Sequence, residues 1–258
     1  MPARSIWNGE IAFDSSRIHV KVYAAVEDRD IHFHLLHDQD FVRLQQRMAN
    51  PRTNRTVELA DAQKGFEVES GVFVLLGDEL AELEPKPSRQ IEITRFVDPK
   101  LIHHQRYLRP YYLGPHGSDD DYFALAAAMA EEGTVGVAHW VMRKKEYVGI
   151  LHAQDGYLML MALRNVDQVI SPDQLDPPEG RPLDTKERRL AEQLISALED
   201  EFDPTRYHDE YRERVEQLIK AKRRGETVAV REYEERPETG SLAEMLRQSV
   251  KLSRTKRR

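Results

Sequence analysis

Arginines without neighbouring acids are the residues of this sequence whose types and spacing most clearly suggest a chemistry. Between Phe41 and Val57 every charged residue is basic: Arg43, Arg47, Arg52 and Arg55. Glutamines and asparagines are interleaved with them. The guanidinium group offers a fork of donors that fits phosphate oxygens, and neutral amides add hydrogen bonds to a backbone without reading bases. The stretch therefore predicts contacts with nucleic-acid phosphates; an ordinary solvated surface loop is the alternative.

Three further segments are rich in basic residues. Arg106 and Arg109 lie in an acid-free stretch that begins at Lys100. A basic tripeptide starting at Arg143 lies between two predicted strands, where it can rest on phosphates or only aid solubility. The C-terminal tail has no acid after Glu244, so it either binds a polyanion or solubilises the terminus. With Lys64, the candidate nucleic-acid contacts are Arg43, Arg47, Arg52, Arg55, Lys64, Arg106, Arg109, Arg143, Lys144, Lys145, Lys251, Arg254, Lys256, Arg257 and Arg258.

Histidines support a competing hypothesis, a metal-dependent enzyme. His32 and His34 are two residues apart, so they share a face on a strand, and Asp38 or Asp40 could add a carboxylate ligand. No further ligand is fixed by spacing. The chain has no cysteine, which excludes disulfides, thiolate metal sites and a cysteine nucleophile. Phosphate-binding glycine loops and nucleophile elbows are also absent, so we expect no catalytic residue, no metal and no cofactor.

The net charge of −7 does not by itself exclude nucleic acid as a ligand. Phosphate binding releases counterions locally, so the position of the basic groups matters more than their sum. The acids concentrate elsewhere, for example in Asp119-Asp120-Asp121, which favours an acidic outer surface around a basic lining. The N-terminal residues form no signal peptide, and no run approaches the ~18 apolar residues of a membrane span. We therefore expect a soluble, cytoplasmic protein.

The chain up to Ser171 is predicted to consist mainly of short strands separated by turn signals. Many short strands favour a barrel or a sandwich over a parallel sheet. One helix is predicted from Asp121 to Glu132, with Phe123, Ala127 and Ala130 on its apolar face and Gly133 as its end. The predicted strands are Ile18–Tyr23, Ile31–Leu36, Gly71–Leu76, Ile91–Val97, Val135–Met142, Tyr147–Leu151 and Tyr157–Leu163.

Helical patterns dominate the sequence after a proline-rich connector. Asp184 is expected to cap a first helix, Asp203-Pro204 to start a second, and Ser241 to cap a third. Their apolar stripes are too narrow to form a core of their own, so these helices should dock on the barrel or on a partner. The expected divisions are a β-rich domain at 1–182, a helical segment at 183–236 and a basic tail at 237–258.

A series of short motifs, in a constant order along the chain, resembles the bacterial Ku family. The resemblance covers about Ile6 to Lys222, and its specificity lies in the order and combination of the motifs. The sequence departs from the family in lacking a Cys-x-x-Cys pair between Arg47 and Arg55, so no metal or redox role tied to that pair is expected. The motifs include Trp7-x-Gly9-x-Ile11-x-Phe13, Val20-Lys21-Val22-Tyr23, Lys64-Gly65-Phe66-Glu67, Gly71-Val72-Phe73-Val74-Leu75, Asp155-Gly156-Tyr157-Leu158 and Phe202-Asp203-Pro204-x-x-Tyr207.

The resemblance implies a mainly β fold with α: a Ku-core β-barrel, an extended bridge at about residues 35–74 and a helical C-terminal extension. It also implies a non-enzymatic homodimeric ring that encircles double-stranded DNA ends, associates with the nucleoid and recruits a bacterial ATP-dependent DNA ligase for non-homologous end joining. The arginine-rich stretch falls inside this bridge. Besides this ring and the metal-dependent enzyme, a third hypothesis is a general nucleic-acid-binding or adaptor protein without ring closure.

Overall fold

The computed structural model describes residues 3–77, 79–177, 180, 182 and 184–226. The chain divides into two compact units, Met1–Gln174 and Leu175–Arg258. The third predicted helix and the basic tail from Lys251 to Arg258 lie outside the described residues. None of the helices in the described ranges is long and apolar enough to cross a membrane.

A closed barrel of seven strands forms the centre of the first unit, with the order β1-β2-β6-β9-β8-β7-β5. All neighbours are antiparallel except β1 and β5, which close the barrel in parallel register. This confirms the barrel prediction and the mainly β class. The barrel strands are β1 (Trp7–Phe13), β2 (Ser16–Ala24), β5 (Gln90–Val97), β6 (Tyr107–Pro115), β7 (Val135–Met142), β8 (Lys145–Gln154) and β9 (Tyr157–Leu163), and a separate hairpin has β3 (Lys64–Glu69) and β4 (Val72–Leu76).

Alternating apolar residues of the strands fill the barrel interior. Ile18, Val20 and Val22 of β2 are all buried, as the alternation predicts. Each such fully buried aliphatic side chain contributes roughly 1.5–3 kcal/mol. Close packing explains the glycine at position 149. A Cβ there would lie 2.7 Å from the Trp140 ring, so glycine lets that ring pack against β8.

Helix α2 (Asp119–Glu132) packs against β8 and β9. It ends at Gly133, whose φ of 62° favours glycine. The Tyr122 hydroxyl donates to the Leu113 carbonyl at 2.5 Å and accepts from the Leu158 amide at 2.8 Å. These bonds pin α2 to the ends of two barrel strands. Burial raises the pKa of Tyr122, so the phenol stays neutral.

The strand directions define two different ends of the barrel. At one end β2, β7 and β9 finish while β1, β5, β6 and β8 begin. The chain leaves the barrel after β2 and returns to β5 at this end, which we call the arm end. At the other end lie the β1–β2 turn, the β8–β9 turn and the connections of α2; we call it the helix end.

The arm, residues 25–89, leaves and re-enters at the arm end and has no buried residue among those described. Two short ladders organise its first half, with bridges between Leu36 and Arg43 and between Ala49 and Thr56. The β3–β4 hairpin follows, and then a single helical turn, α1 (Glu79–Glu82). Every residue of β4 is apolar and exposed, on both faces of the hairpin.

Most of the predicted elements are confirmed, and the exceptions have physical reasons. Ile31–Leu36 is not a regular strand: only Leu36 pairs, because no neighbouring strand lies alongside the rest. The predicted face of α2 was one residue out of phase, since the helix buries Tyr122, Ala126 and Met129 and exposes Phe123, Ala127 and Ala130. The hydrogen-bonding hydroxyl of Tyr122 selects the inner face.

The second unit contains α3 (Thr185–Leu198) and α4 (Glu210–Arg223). Asp184 caps α3 as predicted, accepting from the amides of Lys186 and Glu187. The predicted start of the second helix was wrong. Asp203 instead accepts from the Thr205 amide and hydroxyl, which lowers the pKa of Asp203 and holds a short 3₁₀ turn, and α4 begins only after Asp209.

Candidate nucleic-acid interface

Cations on aromatic rings mark the arm end of the barrel. Arg109, near the start of β6, has its guanidinium carbon 6.0 Å from the centroid of the Tyr111 ring. Lys145, the first residue of β8, has Nζ 5.5 Å from the Tyr147 ring. Tyr147 in turn stacks on the buried Trp140, with centroids 5.4 Å apart. The rings hold the long basic side chains near the barrel surface while leaving their charges exposed.

Tyr111 shows how close these charges lie to the core. Burial raises the pKa of Tyr111, and the positive charges of Arg109 and Arg143 oppose that rise. Two residues that the sequence suggested separately, Arg109 in β6 and Arg143 in the β7–β8 turn, therefore both lie close to Tyr111. Their proximity follows from the strand order β6-β9-β8, which the sequence alone does not reveal.

The β7–β8 turn is a strained two-residue connection. Arg143 and Lys144 have φ of 52° and 63°, in the left-handed region where L side chains are disfavoured. Turns of this shape prefer Asn-Gly. Here both positions carry a cation instead. Lys144 Nζ forms an ion pair with the Glu84 carboxylate at 2.8 Å, linking the turn to the returning end of the arm.

A cleft of about 530 Å³ lies between that returning segment and the β7–β8 turn. Its basic lining residues are Lys86, Arg89, Arg143 and Lys144, with Trp7 as the aromatic part of the wall. The sequence analysis did not select Lys86 and Arg89, because acids precede them in the chain. Arg164 was missed as well; its guanidinium donates to the Tyr107 and Gln105 carbonyls where β9 ends.

The arm carries the arginine-rich stretch in two small turns. The carboxylate of Asp40 accepts from the Val42 amide and pairs with His37 at 2.7 Å, and these hydrogen bonds lower the pKa of Asp40. Asn50 organises the second turn, because its side chain accepts from the Arg52 amide. The arginines themselves, Arg43, Arg47, Arg52 and Arg55, are all exposed.

The predicted contacts thus fall into two groups in the described residues. The arm group contains the arginine-rich stretch and Lys64, which is exposed at the start of β3. The barrel group contains Arg109 and the β7–β8 turn, with Arg106 half-buried just before β6. The helix end is acidic by contrast, with acids at or beside its turns and connections: Asp14, Asp98, Asp119, Asp120, Asp121, Glu131, Glu132 and Asp155.

The histidines do not form a metal centre in the described part of the chain. No group of three or more His, Cys, Asp or Glu side chains there could hold a metal ion. His32 and His34 are exposed in the unpaired start of the arm. His37 is the only one of the three for which a carboxylate partner is found among the described residues, and that pairing shapes a turn.

Comparison with known proteins identifies the family of this fold. The family described as "Ku: Ku70/Ku80 beta-barrel domain" matches residues 12–197. The chain belongs to the Ku family.

Relatives of this Ku-family chain match it over nearly its whole length. "Non-homologous end joining protein Ku 2" of Geotalea uraniireducens is 37% identical over 89% of this chain and 90% of its own length. Proteins named "Non-homologous end joining protein Ku" from Anaeromyxobacter sp. and Archaeoglobus fulgidus are each 35% identical, over 98% and 96% of this chain and 86% and 98% of their own lengths. The Ku resemblance that the motifs predicted is confirmed.

Proposed function

We propose that this protein binds double-stranded DNA ends as a homodimeric ring in non-homologous end joining. The observation that carries the proposal is the grouping of exposed cations within one unit. The arm, with its acid-free arginine stretch, leaves the barrel at the end that carries the exposed cations of β6 and of the β7–β8 turn, while the turns and connections of the other end carry acids. These cations attract DNA phosphates, and the acids at the helix end repel them. The names of the relatives support the repair pathway.

The contacts favour phosphates over bases. Arginine and lysine side chains on turns suit backbone oxygens, and α2 of the barrel unit exposes carboxylates and alanines, which do not suit base reading. Binding should therefore be independent of sequence and sensitive to salt. The protein needs no catalytic residue for this role, because positioning a DNA end is a binding function.

The apolar surface of the arm supports a dimer. A two-stranded hairpin is marginal by itself, and a strand that is apolar on both faces is typical of a strand covered on both sides. Val72–Leu76 has that pattern, yet Phe73 is 59% exposed and Leu75 is 67% exposed within one chain. A second copy would supply the same apolar arm, and a two-fold pairing would bury both.

Ring closure then explains a preference for ends. Two arms and two barrels that enclose a duplex leave no opening at the side, so the protein loads only where the duplex stops. A monomeric adaptor with the same cations would bind circles and linear fragments equally.

The test compares a linear duplex with the same duplex blocked at both ends by bulky protein caps. We expect tight binding to the open duplex, little to the blocked one, and a free protein of twice the 30.0 kDa chain mass. Equal binding to both, or a monomeric mass, would contradict the ring.

We further propose that the second unit recruits an ATP-dependent DNA ligase. Of its described residues only Ala221 is buried, and its exposed apolar side chains include Phe202 and Tyr207, which stack with centroids 5.3 Å apart. Such a surface suits a protein partner. Deletion of residues 240–258, which lie outside the described residues, should weaken DNA binding or ligase stimulation while the dimer persists. An unchanged end-joining rate would contradict a role for the tail.

A further inference from the structure

The cleft between the arm and the β7–β8 turn has more positive charge than the protein itself neutralises. Four cations line it, and one carboxylate, that of Glu84, forms an ion pair with one of them. Within the described residues Lys86, Arg89 and Arg143 have no ion-pair partner. Like charges gathered in one cleft repel one another, so an anionic ligand would relieve the repulsion.

The paired cation stands on a strained turn. Arg143 and Lys144 keep a left-handed backbone, although Asn-Gly would form the same turn without strain. Strained backbone positions cluster at functional sites, so this turn is a candidate for a role of its two side chains. The ion pair is also open to solvent, with the Lys144 side chain 73% and the Glu84 side chain 40% exposed, so a competing anion can reach it.

We propose that this cleft holds a DNA backbone phosphate, and that the Glu84 carboxylate occupies its place until DNA displaces it. A carboxylate and a phosphodiester both offer a pair of anionic oxygens to an ammonium group. The inference rests on the proposed function, since it names the phosphate subsite and its internal competitor. In this proposal Lys86 and Arg89 contact DNA. Glu84 competes with DNA for the cleft, so it lowers the affinity for DNA that is bound non-specifically.

The experiment measures binding of the full chain to a fluorescent linear duplex by anisotropy at several salt concentrations. Glu84→Gln should tighten binding about two- to fivefold, the range set by losing one exposed ion pair. Its salt slope should steepen by up to about one unit per copy, because Lys144 then neutralises a phosphate, and releases the counterion of that phosphate, without competition from the carboxylate.

Glu82→Gln is the matched control. Glu82 is the last residue of α1, two residues before Glu84, and forms no ion pair among the described residues, so its substitution removes the same charge without freeing Lys144. In a Lys144→Gln background, Glu84→Gln should have no larger effect than Glu82→Gln. Thermal unfolding of each variant checks that the fold is intact.

Two results would overturn the proposal. In the first, Glu84→Gln weakens binding or matches Glu82→Gln, so the ion pair only ties the arm to the barrel. In the second, Glu84→Gln keeps a larger effect than Glu82→Gln in the Lys144→Gln background, so its effect does not act through the ion pair in the cleft. A wild type that binds no linear duplex would instead refute the proposed function, and the two failures remain distinguishable.

Discussion

Replacing the β7–β8 turn by Asn-Gly should raise stability and lower DNA affinity at the same time. The double variant Arg143→Asn/Lys144→Gly keeps the turn, because Asn and Gly accept a left-handed backbone. It removes the strain at φ of 52° and 63° together with two cations of the barrel group. A merely structural turn would change stability alone.

The stability change follows from two opposing terms. A non-glycine side chain in the left-handed region costs about 1 kcal/mol, so relief at both positions is worth about 2 kcal/mol. Loss of the Lys144–Glu84 ion pair, which is exposed, subtracts up to about 1 kcal/mol. The net gain of about 1 kcal/mol corresponds to about 2–4 °C in Tm for a domain of this size.

The affinity change follows from counterion release. Each phosphate contact contributes about 0.9 to the slope of log K against log salt, which at 0.1 M salt is worth about eightfold. Two lost contacts should therefore weaken binding on the order of 60-fold per copy and lower the slope by about 1.8 units.

Differential scanning fluorimetry and anisotropy titrations with a linear duplex measure both effects on the same preparations. Asp155→Asn is the control: the β8–β9 turn at the helix end also has a left-handed Asp155, with φ of 52°. That substitution should leave DNA affinity unchanged. If the Asn-Gly variant binds DNA as tightly as the wild type, the turn does not contact phosphates; if its Tm falls, the strain argument is wrong.

Three other predictions concern the arm group, the hairpin and the core. The double variant Arg43→Glu/Arg47→Glu should lower DNA affinity equally for all duplex sequences. It should also reduce the slope of log K against log salt by about one unit per lost contact, as measured by anisotropy. An unchanged DNA affinity would mean that other residues contact the DNA. Phe73→Asp should convert the dimer to a monomer in light scattering, whereas Leu101→Asp, an exposed change on the barrel unit, should not; a persistent dimer would refute the hairpin interface. Tyr122→Phe should destabilise the barrel by about 1–3 kcal/mol in chemical unfolding, because a buried amide loses its acceptor, and an unchanged midpoint would contradict this.

The barrel was predictable because its strands are bounded by turns and alternate in character. Ile18–Tyr23 and Val135–Met142 follow that pattern, and both are strands in the structure. Ile31–Leu36 has the same alternation but pairs only at Leu36, and most of its side chains are exposed within one chain. The local pattern predicts which side chains a strand would bury, but it does not predict whether a neighbouring strand is present.

The candidate site was predictable only in part. Acid-free runs identified Arg43 to Arg55, because the signal is contained in one segment. Lys86 and Arg89 follow acids in the chain, and only the return of the arm beside the β7–β8 turn places them in a basic cleft. The pairing of Lys144 with Glu84, which are 60 residues apart, is likewise a product of the fold.

Trapping on a closed circle tests the ring most directly. The protein is loaded on linear DNA, the DNA is ligated into a circle, and the complex is washed at a salt concentration that abolishes phosphate contacts. An encircling dimer stays on the closed circle through the wash and leaves when the circle is cut again. Release from the closed circle during the wash would contradict the enclosing geometry.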